Sequence, residues 1–394
     1  MLLRNRLRFD ASFDQGPLTG YLSLDVKNDR LNLGIESEIT LREAYVDLYF
    51  NRADFRIGKQ QVVWGKADGL FINDIVCPLN MRMFLLQDFD NIRMALSMVK
   101  ANLYLGEWTL EGLWISEFEP WKFAEPGSDW AFQLGPPDTI WTVIPSPPES
   151  YMVPNIIHMG EPSLPKTSLK NSEVGAKISS FILGTDITIL LLDGFNDHPV
   201  AQLDSFVAGI EKIDSYFTPF YYRSRMYGLN FSRSIFSMVV RGEVGYYSDR
   251  CFPDFDAELR YSVSDFFQGM IGLDMTGPFN IGISVQGIRQ QIMDYQSSME
   301  DDEVGLMASI LVRGSFWRES ATAMVLGILD LSDMELKSQD FGGTAGLVRF
   351  LFDYRWVDGL TFTLGTDMMW GRNNSIFGQF KNNDNLFFKV KYHF

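Results

Sequence analysis

The sequence predicts an all-β fold: a single transmembrane antiparallel up-and-down β-barrel over residues 1–394. Three observations predict it. Short segments alternate apolar with polar residues along most of the chain. Nowhere does the chain hold the roughly 18 consecutive apolar residues that a membrane-spanning helix needs. The alternation also runs to the final residue, Phe394. A closed barrel is the other structure that crosses a bilayer with every backbone N–H and C=O paired.

Composition bounds the answer without choosing it. With 46% hydrophobic residues, 394 residues suffice for two soluble domains or one large barrel. The 32 Phe, 15 Tyr and 9 Trp fall largely in the alternating segments, which favours strands. A net charge of -16 argues against nucleic acid, which wants a basic footprint. It fits loops in water around a neutral belt. Cys77 and Cys251 fall in segments read as loops, outside any CxxC or Cys/His pattern. They are either joined in an oxidising compartment or two unpaired thiols. The opening MLLRNRLRFD enters alternation directly, without the apolar stretch and cleavage site of an export signal. A mature, trimmed or misassigned start is expected.

The last strand is the clearest. Leu386, Phe388, Val390, Tyr392 and Phe394 share one face, and Phe387, Lys389, Lys391 and His393 the other. An alternation ending in a terminal Phe resembles the carboxy-terminal signal of bacterial outer-membrane barrels. Upstream, Val348, Phe350, Phe352, Tyr354 and Trp356 oppose Arg349, Leu351, Asp353 and Arg355. In water that aromatic face needs a second protein layer; in a bilayer it needs only lipid. Leu360, Phe362, Leu364, Met368 and Trp370 repeat the pattern against Thr361, Thr363, Gly365 and Asp367. So do Met238, Val240, Val244 and Tyr246 against Arg241 and Glu243, and Leu306, Ala308, Ile310, Val312 and Phe316 against Ser309, Arg313 and Ser315.

Connections alternate short and long, as periplasmic turns and extracellular loops do. Short turns are expected at 358–359, 317–320, 276–280, 232–234, 183–185, 105–107 and 51–54. Long loops are expected at 371–382, 332–344, 293–302, 248–258, 196–220, 117–170, 64–90 and 28–38. This gives 17 visible strands, counting one at residues 2–13. Bacterial single-chain barrels have even strand numbers, so a further strand before residue 2 is expected, for about 18 in all, with about 16 as the alternative.

Two segments stand out from the strands. Residues 117–170 hold 10 of the 16 prolines and three tryptophans, Trp121, Trp130 and Trp141. That stretch is too long for a hairpin and too apolar for disorder, so an ordered extracellular cap over or into the pore is expected. Docking of a partner protein or of lipopolysaccharide sugars is the rival role. The second segment reads WGKADGLFINDIVCPLNMRMFLLQDFDNIR over residues 64–93. With LREAYVDLYF (41–50) and FRIGKQQVVWG (55–65) before it, it resembles a domain-of-unknown-function family of proteobacterial outer-membrane barrels, itself similar to the alginate-export porins. The sharp motifs cover residues 41–93. Gly58-Lys59-Gln60 replaces the family's Gly-Arg-Gln, and Asn80 stands where the family has Asp, which weakens any charged constriction at those positions. The resemblance implies a barrel of about 18 strands. It also implies movement of lipid-like or other apolar compounds, and a periplasmic or envelope partner, an exporter of the resistance-nodulation-division type, beside the outer-membrane lipid and lipopolysaccharide.

Physically, residues 64–90 carry a turn at Asp68-Gly69, a bend at Pro78 and an amphipathic run over 79–89. Such a segment is expected to fold into the lumen as a constriction. Its candidate residues, with the wall positions they would meet, are Glu43, Asp47, Arg56, Gln60, Trp64, Asp68, Asp74, Arg82, Asp88, Asp90 and Arg93. Equally, these charges simply pin the loop through ion pairs, since buried charges need partners. Further lumen positions are Arg241, Glu243, Arg313, Arg349, Asp353, Arg355 and Asp367, together with Lys177, Lys389, Lys391 and Glu111. The mixture of signs argues against strong ion selectivity. The acidic run 300–303 holds Ca²⁺ or, by the preferred reading, is a solvated charge run.

Only His158, His198 and His393 are available as imidazole bases, and no nucleophile or zinc motif accompanies them. No enzyme activity, cofactor or metal is therefore expected. A channel for hydrophobic or amphiphilic small molecules, gated by residues 64–90, leads. A plugged barrel acting as a docking partner in a larger assembly is second, and a soluble secreted all-β protein third.

Overall fold

The computed structural model describes residues 3–31, 34–87, 89–125, 127–132, 139–146, 149–209, 211–332, 344–373 and 375–394. Strands β1 (Leu3–Gln15), β2 (Leu18–Leu31), β3 (Gly34–Tyr49), β4 (Ala53–Gln60) and β5 (Arg82–Leu85) precede a single-turn helix, α1 (Phe89–Ile92). Next come β6 (Leu96–Leu105), β7 (Trp108–Ile115), β8 (Thr139–Ser146), β9 (Glu149–Met159), β10 (Glu173–Ile182), β11 (Thr185–Phe195), β12 (Val200–Ala208) and β13 (Ile213–Phe220). Then follow β14 (Arg223–Ile235), β15 (Met238–Pro253), β16 (Tyr261–Thr276), β17 (Gly282–Ile292) and β18 (Val304–Phe316). The chain finishes with β19 (Ala321–Asp330), β20 (Ala345–Val357), β21 (Leu360–Trp370) and β22 (Asn385–Tyr392).

Seventeen of these make one antiparallel sheet, each wall strand pairing with the next along the chain, and β1 and β22 are its edges. Among the described residues no ladder joins β1 to β22. The sheet is nonetheless curled round an interior. Residues 61–95 alone touch Arg8 on β1, Glu111 on β7, Arg241 on β15 and Arg349 on β20, which no flat sheet permits.

Burial runs opposite to that of a soluble protein. On consecutive strands β14 to β22, Leu229, Val244, Ile271, Val285, Ile310, Val325, Phe350, Leu364 and Phe388 are exposed, Ile271 by 62% and Phe388 by 65%. Between them Glu243, Gln268, Gln286, Ser309, Arg349 and Asp367 are buried. The aromatic faces of the terminal strands have no second layer of protein over them: Leu386 and Tyr392 are 76% and 61% exposed. Apolar outside with polar inside is the pattern of a bilayer-spanning wall. It removes the soluble reading.

Several boundaries differ from the sequence expectation. Arg233 and Ser234 lie in the ladder, opposite Val240 and Val239, and the turn is Phe236-Ser237, not 232–234. Phe236 adopts the left-handed φ of 55° there, a conformation its sequence gives no reason to expect. Residues 28–31 and 34–38 of the expected loop 28–38 are strand, because β2 and β3 stay paired as far as Leu31 and Gly34. A paired strand with polar residues on both faces shows no alternation and reads as loop. By the same token β15 runs through Cys251 to Pro253, where 248–258 reads as loop. The expected loop 332–344 falls mostly outside the described residues. The expected loops 117–170 and 196–220 contain strands: β8, β9, β13 and β12 form a separate four-stranded sheet in that order, with β9 and β13 parallel. Pairing between segments so far apart leaves no local periodic trace.

A charge on the outer face should be costly only if that face meets hydrocarbon. Ile271→Arg is expected to destabilise the barrel in lipid by about 2–4 kcal/mol, read from denaturant unfolding followed by gel mobility of folded and unfolded forms. An effect within about 0.5 kcal/mol, as on a water-exposed surface, would contradict the membrane-facing assignment.

Candidate functional site

Between β4 and β6 the chain leaves the wall for residues 61–95, and most of that stretch is irregular. Irregular backbone inside a barrel must find its hydrogen bonds elsewhere. The wall supplies them from side chains. Glu243 accepts from the backbone N–H of Lys66 and, at 3.1 Å, of Asn73. Glu43 accepts from Gln61 N–H at 3.0 Å, and Gln286 from Asp68 N–H at 3.2 Å. On the carbonyl side, Tyr247 Oη and Gln268 Nε2 both donate to Ile72 O, at 2.6 and 2.9 Å. Asn230 donates to Trp64 O at 2.8 Å, and Arg241 to Lys66 O.

Ion pairs complete the attachment. Asp68 accepts from Arg241, and from Ser284 and Gln286 at 3.1 Å each. Arg241 also pairs with Asp274 at 3.0 Å. Within the segment, Arg93 clasps Asp74 at 2.5 Å. Burial pushes the Asp74 carboxyl up, and Arg93 opposes that push. Arg82 reaches Glu38 at 3.4 Å. Trp64, 3% exposed, donates its indole N–H to Glu111 at 2.6 Å, while Lys177 pairs with Glu111 at 3.0 Å. Arg349 holds Asp367 at 2.6 Å and donates to Leu85 O at 3.5 Å.

The expected constriction set is therefore brought together only in part. Glu43, Trp64, Asp68, Asp74, Arg82, Arg93, Arg241, Glu243 and Arg349 all take part in holding the segment, and Asp367 acts through Arg349. Asp47 and Arg56 do not reach it; they pair with each other at 2.6 Å between β3 and β4. Gln60 is fully buried in the wall, donating to Met98 O at 3.2 Å. Asp353 accepts from Thr363 within the wall at 2.5 Å. Arg313 and Arg355 are exposed near the short turns, as are Lys389 and Lys391. Asp88 and the side chain of Asp90 lie outside the described residues. Sequence reasoning missed Asn73, Asn230, Tyr247, Gln268, Ser284 and Gln286, although inward alternation already marks the last four as lumen positions.

Apolar contacts are as extensive as the polar ones. Val62, Trp64, Val76 and Cys77 pack with Leu190, Leu192, Met226, Tyr247 and Phe266 from the inner wall. Leu79, Met81, Phe84 and Ile92 pack with Leu326, Ile328, Leu347, Met369, Phe377 and Phe380. So the inner face is not polar throughout: toward the long connections it is apolar. Cys77 and Cys251 are both buried and form no disulfide, Cys77 Sγ accepts from Val62 N–H at 3.2 Å, and burial pushes the Cys77 thiol up to about 12. Among the described residues no cluster of three metal-ligating side chains is present, at the acidic run 300–303 or elsewhere.

On the long-connection side of the segment lies a cavity of about 1140 Å³. Its floor is the segment (Phe71, Ile72, Phe84), its sides are wall strands (Leu192, Tyr247, Phe252), and its roof is the four-stranded sheet (Ile157, Phe217). Trp121, Phe123 and Phe132, from the Pro-rich stretch, also line it. On the other side, toward the short turns, the inward positions Asp186, Arg313, Arg355, Lys389 and Lys391 are open to solvent.

Removing one wall anchor tests this attachment. Glu243→Ala leaves the N–H groups of Lys66 and Asn73 without their acceptor, at about 1–3 kcal/mol for each buried group. Amide hydrogen exchange across residues 62–76 is expected to accelerate while that of β20 and β21 does not; a uniform change along the chain would contradict local anchoring.

The fold has solved counterparts. The structure resembles Pseudomonas aeruginosa OpdK, solved with vanillate, with a TM-score of 0.50 at 11% identity, covering 99% of this chain and 92% of that one. It resembles Pseudomonas aeruginosa OccK9 (OpdG) with a TM-score of 0.50 at 10% identity, covering 99% and 90%. The seventeen-stranded antiparallel sheet, apolar outside and polar inside, is the fold of an outer-membrane β-barrel. No curated protein matches the sequence. Residues 16–326 match the family described as "Protein of unknown function (DUF1302)", and the chain belongs to that family.

Proposed function

We propose that the barrel is a porin-like conduit for hydrophobic or amphiphilic small molecules, gated by the inserted segment. One observation carries the reading: residues 61–95 separate an aromatic cavity of about 1140 Å³ from a polar, solvent-open vestibule at the short-turn end. A cavity of that size matches ligands of several hundred daltons. Its aromatic lining favours an apolar body, while the vestibule's mixed charges select no single small ion. The segment is the obstacle between the two compartments. It is held by many separate hydrogen bonds and ion pairs, each worth about 1 kcal/mol, so a partial release can open a path without unfolding the wall.

That same attachment supports a second reading, a permanently plugged barrel that serves as a docking surface through the roof sheet and the Pro-rich stretch. An envelope exporter of the resistance-nodulation-division type would be the partner in either reading. Conductance in planar bilayers separates the two. Deleting residues 66–88 is expected to raise single-channel conductance severalfold, with the intact chain showing brief, substrate-dependent openings. Unchanged conductance after the deletion removes the gate, and an intact chain silent under all conditions favours the plugged barrel.

A further inference from the structure

Strand β15 carries a bulge. Tyr247 pairs with Phe266, but the next pair is Arg250 with Ser264, so three residues on β15 span two on β16. Asp249 within it takes a left-handed φ of 57°. An extra residue reverses which side chains face inward. Below the bulge the inward residues are Arg241, Glu243 and Tyr247; above it the strand turns Arg250 and Phe252 inward instead. The backbone thus departs from regular pairing to bring a guanidinium to the aromatic cavity.

Once there, Arg250 has no carboxylate in contact with it among the described residues. Its guanidinium lies 4.2 Å from the ring centre of Phe266 and 5.2 Å from that of Phe252. Its Nε is buried without a hydrogen-bond partner, and Tyr222 Oη is its polar neighbour. Asp301 senses Arg250 through space, yet among the described residues no carboxylate stands within 4.0 Å of it. Arg250 is half-buried, and a charge drawn partly out of water calls for a counter-charge. We infer that Arg250, with the hydroxyl of Tyr222, binds the anionic group of an amphiphile whose apolar body fills the cavity. Among the cavity's other ionisable groups, burial pushes the Asp197 carboxyl well up and the His198 imidazole down to about 4, so both favour their uncharged forms, while Asp254, Asp256, Glu300 and Asp301 also line it and are the carboxylates an incoming anion must displace from the field of Arg250. A guanidinium stacked on rings and offering a planar fork suits a carboxylate, sulfonate or phosphate. The assignment presumes the conduit proposed above and names the charge of what it carries.

A matched pair of dyes tests it on the full chain in lipid nanodiscs. 8-Anilinonaphthalene-1-sulfonate and N-phenyl-1-naphthylamine share one skeleton and differ by the sulfonate. Arg250→Gln is expected to weaken the sulfonate dye about 10-fold and the neutral dye less than about 2-fold, because a charge-assisted hydrogen bond is lost and the apolar contacts are kept. Arg250→Lys should recover part of the loss. Tyr222→Phe, which keeps the charge, should cost the sulfonate dye about 3-fold and stands in should Arg250→Gln fail to fold. Equal weakening of both dyes, no effect of either substitution, or tighter binding of cationic rhodamine 6G than of the sulfonate overturns the anion assignment while the neutral dye still reports the conduit's cavity. Failure of every dye to bind the native chain above the level of empty nanodiscs overturns the cavity as a station on the path, and the conduit reading with it.

Discussion

Everything in this molecule follows from one constraint: inside hydrocarbon no backbone N–H or C=O can be left to water. Seventeen antiparallel strands meet it along every seam from β1 to β22 by pairing each strand with its chain neighbour. Pairing in turn fixes the alternation, since successive side chains must point to opposite faces. Lipid takes one face and an enclosed interior the other, so Ile271 and Phe388 are exposed while Glu243 and Asp367 are buried. The usual hydrophobic argument is inverted in the belt, and polar satisfaction becomes the organising demand of the interior.

That demand explains the company kept by the buried charges. Arg349 with Asp367, Arg56 with Asp47, and Lys177 with Glu111 each link neighbouring strands at one height of the wall. Each is a charge that would be costly alone and is tolerable beside its partner. Arg241 is the exception in kind: it bridges Asp274 on the wall to Asp68 on the inserted segment. A pair within the wall stiffens the barrel, whereas a pair across to the segment ties the segment's position to the wall.

The fold was legible because alternation is a local signal, repeated strand after strand. Val348 to Trp356 and Leu386 to Phe394 announce their outer faces from sequence alone, and the structure exposes Phe350 and Trp356 on the first and all five outer residues of the second. Legibility failed where the physics is not local. Residues 28–31 and 34–38 are paired strand, but their mostly polar sequence offers no alternation from which pairing could be read. The roof sheet depends on β9 meeting β13 across more than fifty intervening residues, which no window of sequence reports. At the site, the charged members were visible as charges, but Asn230, Gln268 and Gln286 look like ordinary polar wall positions until the backbone they serve is seen. Asp47 and Arg56 mislead in the opposite way, being charged and inward yet satisfied by each other.

The inserted segment obeys the same constraint as the wall by different means. A strand exchanges backbone for backbone; residues 61–75 exchange backbone for side chain, with Glu43, Glu243 and Gln286 taking their N–H groups and Asn230, Arg241, Tyr247 and Gln268 taking their carbonyls. The difference has a mechanical consequence. A ladder between strands is cooperative and repeats along the wall, so it yields only when the barrel does. Side-chain anchors are separate and spaced over several strands, and each can exchange its partner for water while the rest hold. An irregular segment fixed in this way is tied to the wall by many separate anchors and by its apolar packing, and by no continuous ladder.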